Sequence, residues 1–127
     1  MTKTIINTEN APAAIGPYSQ AVVTGGLLFT SGQLPMDPAT GKILEGTIED
    51  QAHQVFKNLE AIAKEAGTDL DNAVKTTVYL ADISDFAAVN QVYAQYFNAP
   101  FPARSAFQVA ALPLGADVEV EAIFQLK

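Results

Sequence analysis

The spacing of apolar residues changes from one segment of the chain to the next, and these changes predict where helices and strands lie. Between residues 47 and 66, apolar residues recur every three or four positions, which is the period of one face of an α-helix. Thr47 and Asp50 stand where a capping pair would start that helix, and Gly67 stands where it would end. The sequence therefore predicts a first helix over residues 47–66.

A second helical pattern covers residues 85–97 and has a mostly aromatic apolar side. Ser84 precedes it as the predicted N-terminal cap, and Pro100 and Pro102 follow it as helix breakers. The other apolar segments are short, and they either alternate with polar residues or are rich in β-branched side chains, as strands are. They predict strands at residues 4–6, 21–24, 27–31, 73–80, 105–110 and 117–125.

This order of elements predicts one α+β domain over residues 1–127, a mixed sheet with both helices packed on one of its faces. In the last predicted strand, apolar residues alternate with Glu119, Glu121 and Ile123, so the acidic pair points away from the helices. Two helices leave that second face without cover from the same chain. We expect a partner subunit to cover it, and a solvent-exposed sheet face is the alternative.

Composition and charge argue against several classes of function. The 127 residues carry a formal net charge of −7 and their lysines are scattered, so binding to nucleic acid or to anionic membranes is not expected. No apolar run is long enough to cross a bilayer, and no leader segment is expected. The absence of cysteine excludes thiolate metal sites, and the single histidine, His53, excludes a multi-histidine site and argues against a serine–histidine–aspartate triad. We therefore expect a cytoplasmic protein without a metal, in which His53 is a surface or flanking residue of the first helix.

Arg104 is the only arginine of the chain, and it lies between Pro102 and an apolar, strand-like segment. A guanidinium grips a carboxylate or a phosphate through two parallel hydrogen bonds, which the point charge of a lysine cannot do. Two interpretations stay open from position alone. Arg104 binds an anionic ligand, or it forms a structural ion pair.

Other candidate residues each have a functional and a plainer interpretation. Glu119, if a neighbouring subunit partly buries it, would have a raised pKa and act as a general acid or base; otherwise it is a solvated carboxylate. Gly32 follows Ser31 at the end of a strand, where its amide would face a ligand oxygen or simply form a turn. The ring of Tyr18 lines a pocket or packs in the interior, and Asn90 bonds a ligand, a loop or water.

Four segments together resemble the Rid family, the reactive intermediate deaminases, which are also called the YjgF or L-PSP endoribonuclease-like family. The matching segments are residues 13–20, residues 30–35, residues 102–105, and residues 109–113 with 118–121. They stand in the family's order and span nearly the whole chain, which chance similarity does not explain.

The resemblance implies a fold like that of bacterial-type chorismate mutase, assembled as a homotrimer with three clefts between subunits. It implies hydrolysis of 2-imino acids and their enamine tautomers, such as 2-iminobutanoate and 2-iminopropanoate, to 2-keto acids and ammonia. Pyridoxal-phosphate enzymes such as threonine and serine dehydratases release these imines, while the family's own reaction needs no metal and no organic cofactor.

The resemblance also implies a role for each candidate residue. Arg104 would hold the substrate carboxylate, and Glu119 would position or activate the attacking water. The residues implied to surround the bound acid are Tyr18, Ser31, Gly32 and Asn90. Ala106 departs from the family, because many relatives have cysteine or threonine there. This excludes a thiol-based role at that position and leaves substrate preference open.

Three other functions stay as alternatives. A non-enzymatic regulatory trimer would bind small keto acids in the same clefts. Its sequence would be expected to retain Arg104 and lack Glu119, but this chain has both residues. Ribonuclease activity or translation inhibition, long attached to the family, is disfavoured by the negative charge and the single histidine. A chaperone-like role through exposed apolar surface is the third.

Overall fold

Hydrogen bonds between strands join six of them into one mixed sheet in the computed structural model, which describes residues 2–127. The sheet strands are β1 Thr4–Ile6, β2 Ala21–Thr24, β3 Leu27–Thr30, β6 Ala73–Leu80, β7 Ala103–Gln108 and β8 Val118–Gln125. A small separate hairpin consists of β4 Met36–Asp37 and β5 Lys42–Ile43. The helices are α1 Ile48–Glu65 and α2 Phe86–Tyr96, and short 3₁₀ turns cover Leu70–Asn72, Ile83–Asp85 and Pro113–Gly115.

The strand order in the sheet is β1-β2-β3-β8-β6-β7. Every neighbouring pair is antiparallel except β6 and β7, which run parallel. Parallel neighbours need a crossover connection, and α2 lies in the segment that supplies it. The predicted α+β class and mixed sheet are confirmed, and β7 lies at one edge of the sheet.

Helix α1 begins and ends where the sequence predicts. The Thr47 hydroxyl accepts from the Asp50 amide (3.1 Å), and the Asp50 carboxylate accepts from the Thr47 amide (3.2 Å), which together form a capping box. Gly67 follows the helix with a φ of 81°, a conformation that favours glycine. Both ends are local features, which is why the sequence located this helix well.

The predicted start of the second helix is wrong by one residue, and its predicted cap is wrong too. Ser84 lies inside the 3₁₀ turn, where its amide donates to the Asp82 carboxylate (2.9 Å), and α2 begins at Phe86 with no side-chain cap. Asp82 takes this role because aspartate readily bonds the backbone two residues ahead. Strand β7 lies two residues earlier than predicted. Its ladder with β6 begins at the pair Lys75 and Ala103 and ends at the pair Leu80 and Gln108, where β6 itself ends.

The two faces of the sheet differ in cover, as the alternation in β8 predicts. Its side chains at 118, 120, 122 and 124 are buried against the helices. Glu119 and Glu121 lie on the opposite face, which also carries the exposed rings of Phe29 and Phe107. That a partner subunit covers this face stays a prediction. Neither helix within residues 2–127 has the length and hydropathy that crossing a bilayer requires.

Candidate active site

One cavity of about 620 Å³ brings together four of the predicted site residues. They are Tyr18, Ser31, Gly32 and Glu119. Much of the remaining lining is apolar and comes from three loops and the start of the small hairpin, through Pro12, Ala13, Ile15, Leu34, Met36 and Leu114. A cavity of this size with few polar groups is typical of a small-molecule site. We call it the Glu119 cavity.

Glu119 lies beside Gly32 because the chain after β3 pairs with β8. The Gln33 amide donates to the Val120 carbonyl (2.8 Å), and the Val120 amide donates back to the Gln33 carbonyl (3.2 Å). In this antiparallel bridge, the residues that precede Gln33 and Val120 lie on the same face as diagonal neighbours, which brings the Glu119 side chain against Gly32. A Cβ at Gly32 would stand 2.8 Å from the Glu119 carboxyl carbon, closer than real Cβ contacts allow. Gly32 therefore makes room for the Glu119 carboxylate.

The carboxylate of Glu119 has an environment that favours its protonated form. Partial burial, and then the nearby charge of Glu121, raise the pKa of Glu119 above its ordinary value of 4.5. Glu121 in turn accepts a hydrogen bond from the Tyr79 hydroxyl (2.9 Å), while burial and this bond raise the pKa of Tyr79 to about 12. Glu119 is thus the carboxylate suited to accept and return a proton, whereas the Glu121 carboxylate is already hydrogen-bonded to Tyr79.

The backbone of the Tyr18 loop is tied to Ser31. The Ser31 hydroxyl donates to the Ser19 carbonyl (2.6 Å), and the Ser31 amide donates to the Gln20 carbonyl (2.9 Å). The ring of Tyr18 is more than half exposed, and its hydroxyl accepts from the Ile15 amide (3.3 Å). Ser31 therefore shapes the cavity, and its hydroxyl proton is already used in the hydrogen bond to the Ser19 carbonyl. The Gly32 N–H bonds no other residue of the described chain, which leaves it free to donate to a ligand.

Gln20 is the site-shaping residue for which the sequence analysis gave no role. Its side chain is buried, and its amide oxygen accepts from the Thr8 amide (2.7 Å). Its amide nitrogen donates to the carbonyls of Thr8 (3.0 Å), Ala11 (3.3 Å) and Pro12 (2.8 Å). A glutamine next to an apolar strand gives little signal in a sequence, because only the fold shows that the chain wraps around it.

Arg104 and Asn90 lie together, away from the Glu119 cavity. The Arg104 Nη1 donates to the Asn90 Oδ1 (2.7 Å). In the β6–β7 ladder, Arg104 is paired with the buried Thr76, so its side chain is on the helix side of the sheet. The one ion pair formed within residues 2–127 joins Lys127 to Asp69 (2.8 Å), so Arg104 forms no ion pair with a carboxylate there. Within the described part of one chain, therefore, nothing supports the structural ion-pair interpretation of Arg104.

One chain does not bring all six predicted residues to one place. Glu119 is on the open face of β8, Arg104 is on the helix face of β7, and β6 separates the two strands. Strands two apart in a sheet are about 10 Å apart, and the two side chains also point in opposite directions. A single small ligand of one chain cannot contact both groups.

Comparison with known proteins identifies the family. The sequence pattern of the endoribonuclease L-PSP family matches residues 8–125. The chain belongs to the L-PSP family. This confirms the resemblance drawn from the four sequence segments, since L-PSP is one of the names of that family.

Individual L-PSP relatives are similar over almost their full length. A goat protein named 2-iminobutanoate/2-iminopropanoate deaminase is 56% identical over 123 residues, which cover 97% of this chain and 90% of the goat protein. The crystal structure of yeast YEO7 matches with a TM-score of 0.96 and 47% identity, over 99% of this chain and 100% of the yeast one. Escherichia coli TdcF with bound serine matches with a TM-score of 0.91 and 42% identity, over 98% and 99% of the two chains.

The Glu119 cavity and the Arg104 part, which consists of Arg104 and Asn90, offer complementary chemistry. The Glu119 cavity supplies a carboxylate with a raised pKa, a free backbone N–H and apolar walls. The Arg104 part supplies a cation without a carboxylate partner among the described residues. A ligand with an anionic end beside a carbon that water attacks, and with a nitrogen that accepts a proton, would use both parts. No group of three or more acidic, histidine or cysteine side chains within residues 2–127 is arranged to hold a metal ion.

Proposed function

We propose that this protein hydrolyses 2-imino acids and their enamine tautomers, 2-iminobutanoate and 2-iminopropanoate among them, to 2-keto acids and ammonia. The goat relative that bears the name of this activity is 56% identical to the chain. The observation on which the proposal depends is the Arg104 guanidinium, which is exposed and unneutralised in an acidic protein of net charge −7. In a 2-imino acid the carboxylate is attached directly to the C=N carbon, and arginine binds carboxylates through two parallel hydrogen bonds.

The site is completed by a second copy of the chain, with Arg104 and Asn90 from one subunit facing the Glu119 cavity of the next. What supports this is the separation of the two parts within one chain, together with the open sheet face that carries Glu119. We propose the closed trimer that the family resemblance implies, with one such junction for each subunit. Escherichia coli TdcF is known with bound serine, and serine shares with a 2-imino acid a carboxylate beside a nitrogen-bearing carbon.

The reaction begins with the substrate held by its carboxylate on Arg104. Water adds its oxygen to the carbon of the protonated imine, the C=N electron pair moves to the nitrogen, and Glu119 takes the proton that the water loses. Glu119 then returns that proton to the nitrogen, and the carbon–nitrogen bond breaks. Ammonia leaves as the hydroxyl oxygen becomes the keto oxygen and its remaining proton passes to solvent. A carboxylate with a raised pKa is suited to both proton transfers, and a fixed substrate carboxylate aligns the carbon with the water.

The location of this activity is proposed as the cytoplasm. The absence of cysteine from the 127 residues fits a reducing compartment but does not require one. Fractionation of cells that express the tagged protein would test this, and recovery in a membrane or organelle fraction would contradict it.

The function is tested by coupling the purified protein to a dehydratase that releases 2-iminobutanoate, and by following imine loss and ammonia release. The wild-type protein is expected to speed both. Arg104→Ala and Arg104→Lys are expected to lose most of this acceleration, because alanine removes the cation and the point charge of lysine does not replace the two parallel hydrogen bonds of a guanidinium. Lys42→Ala, at an exposed position of β5, is the matched control for loss of a cation and is expected to behave as wild type. Full activity of Arg104→Ala would overturn the proposal.

A further inference from the structure

The Arg104 side chain is held in one orientation by three residues of α2. Besides its bond to Asn90, its guanidinium carbon lies 4.7 Å from the centre of the Tyr93 ring and 5.3 Å from the centre of the Phe86 ring. Positions 86, 90 and 93 are separated by four and three residues, so they lie on the same side of the helix. An exposed arginine is normally free to adopt many rotamers, and these contacts restrict Arg104 strongly.

The closer of the two ring contacts is with Tyr93, whose ring is itself held in place. Tyr93 is 5% exposed, and its hydroxyl shares a 2.8 Å hydrogen bond with the Thr76 Oγ1. Its ring stacks on Phe97, with 4.4 Å between the ring centres. Thr76 is also the residue paired with Arg104 in the β6–β7 ladder. The same β6 residue therefore locates both the backbone of Arg104 and the ring beneath its guanidinium.

An aromatic contact restricts a guanidinium without using up its hydrogen bonds. The cation is attracted to the face of the ring, while its N–H donors point outward in its own plane. A carboxylate in the place of these rings would have occupied the donors that a ligand needs. Asn90 takes a bond from Nη1, and the other N–H groups donate to no residue within the described chain.

We propose that Phe86 and Tyr93 are positioning residues, which hold the Arg104 guanidinium ready for the substrate carboxylate. This inference rests on the proposed function, because it gives the rings a role in binding the same substrate. A guanidinium that is already ordered loses less conformational freedom when the ligand binds, so the rings strengthen binding without touching the reacting carbon.

Phe86→Leu is the variant that tests this, because Phe86 is only partly buried, whereas a change at Tyr93 would disturb the core. In the coupled imine assay, we expect KM to rise about threefold with kcat unchanged, the size of one partly exposed cation–π contact that acts on binding alone. Phe86→Tyr keeps the ring face and is expected to retain the wild-type KM. Gln91→Leu places a leucine at an exposed neighbouring position of α2 and is the matched control. If Phe86→Leu only lowers the Tm and leaves KM unchanged, the inference is overturned.

A second measurement separates this inference from the proposed function. Phe86→Leu, Arg104→Met and the double variant form a cycle in which chemical denaturation is measured without substrate. We expect the two changes to be non-additive, because each removes the same contact. If the wild-type protein hydrolyses no imine, the proposed function fails, and additivity in this cycle would overturn the positioning inference as well. If the wild-type protein is active and Phe86→Leu has the wild-type KM, the positioning inference alone is overturned.

Discussion

Gly32 and Glu119 depend on each other at the wall of the cavity. The glycine is required here for close approach and not for an unusual backbone angle, because a methyl group on it would overlap the carboxyl group of Glu119. Glu119 is partly buried and lines the cavity, so we expect crowding at position 32 to displace its carboxylate before it disturbs the fold.

Gly32→Ala is therefore expected to lower kcat by about tenfold or more, because a displaced base is misaligned with the water, while the Tm changes little. Steady-state kinetics in the coupled assay and thermal unfolding would measure the two effects. Gly46→Ala is the matched control, because a Cβ there crowds the Asp50 carboxylate at 2.8 Å. That variant is expected to weaken the cap of α1 and to keep the wild-type kcat. Wild-type kinetics in Gly32→Ala would contradict the proposed role of Glu119.

The raised pKa of Glu119 predicts how activity depends on pH. Only the ionised form accepts a proton from water, so activity is expected above this pKa and is lost as the pH falls through it. The acid limb of the kcat/KM profile should therefore lie above pH 4.5, the ordinary value for glutamate. In Glu119→Gln, the rate should fall by about a hundredfold or more and the limb should disappear. A limb that persists in Glu119→Gln would assign the titration to another group.

The raised pKa of Glu119 also predicts that folding stability falls as the pH rises, whereas activity rises with pH. Because the folded-state pKa of Glu119 is raised above its unfolded value, its contribution to stability is fully present below that unfolded value and is lost as the pH rises through the folded one. Glu119→Gln should therefore be as stable as wild type at pH 4 and more stable at pH 7, as measured by urea denaturation. Lower stability of Glu119→Gln at pH 7 would show that ionised Glu119 has a favourable partner instead.

At the scale of elements, the loop that forms one wall of the cavity is organised by a single buried amide. Gln20 bonds the backbone at Thr8, Ala11 and Pro12, and its own carbonyl accepts from Ser31. The segment before β2 therefore has a fixed path although it contains no regular element, and it presents Ala13, Ile15 and Tyr18 to the cavity.

Gln20→Leu is expected to lower the free energy of unfolding by about 3 kcal/mol, since several buried backbone groups lose their partner. It should also raise KM for the imine, because the wall of the cavity loses its support. Urea denaturation and steady-state kinetics would measure both. Gln91→Leu, at an exposed position of α2, is the matched control and should have a small effect on stability. Equal stability losses in the two variants would contradict the role of Gln20.

The elements that the sequence predicts best are those whose signals are local. The capping box of Thr47 and Asp50, and the alternation in β8, are read directly from neighbouring residues. The predicted start of α2 is wrong because Asp82, and not Ser84, bonds the backbone at the preceding 3₁₀ turn, and composition does not tell which side chain does so. The role of Gln20 was missed because it depends on contacts with residues up to twelve positions away.

At the scale of the whole molecule, the identity of the candidate residues could be predicted from the sequence, but their division into two parts could not. An alternating strand pattern shows which residues of one strand share a face, and in β8 it also indicates the face that the helices cover, but it does not relate that face to a residue of another strand. The predicted bounds of β7 began after Arg104, so its side chain had no assigned face. Only the register of β7 against β6 shows that Arg104 and Glu119 point to opposite sides of one sheet.

This division makes the central claim testable by mixing two inactive variants. Arg104→Ala keeps an intact Glu119 cavity, and Glu119→Gln keeps an intact Arg104 part. If each site is shared by neighbouring subunits of a trimer, some junctions of mixed trimers pair the two intact parts. Light scattering would first establish the assembly, with an expected mass of three times the 13.5 kDa of one chain.

The most direct measurement is imine hydrolysis after the two variants are unfolded together in equal amounts and refolded, with each variant refolded alone as the control. The account predicts recovery of about a quarter of the wild-type activity, because random assembly places the two intact parts at one junction in four. Activity no higher than that of the separately refolded variants, in trimers shown to be mixed, would contradict a site built from Arg104 of one subunit and Glu119 of the next.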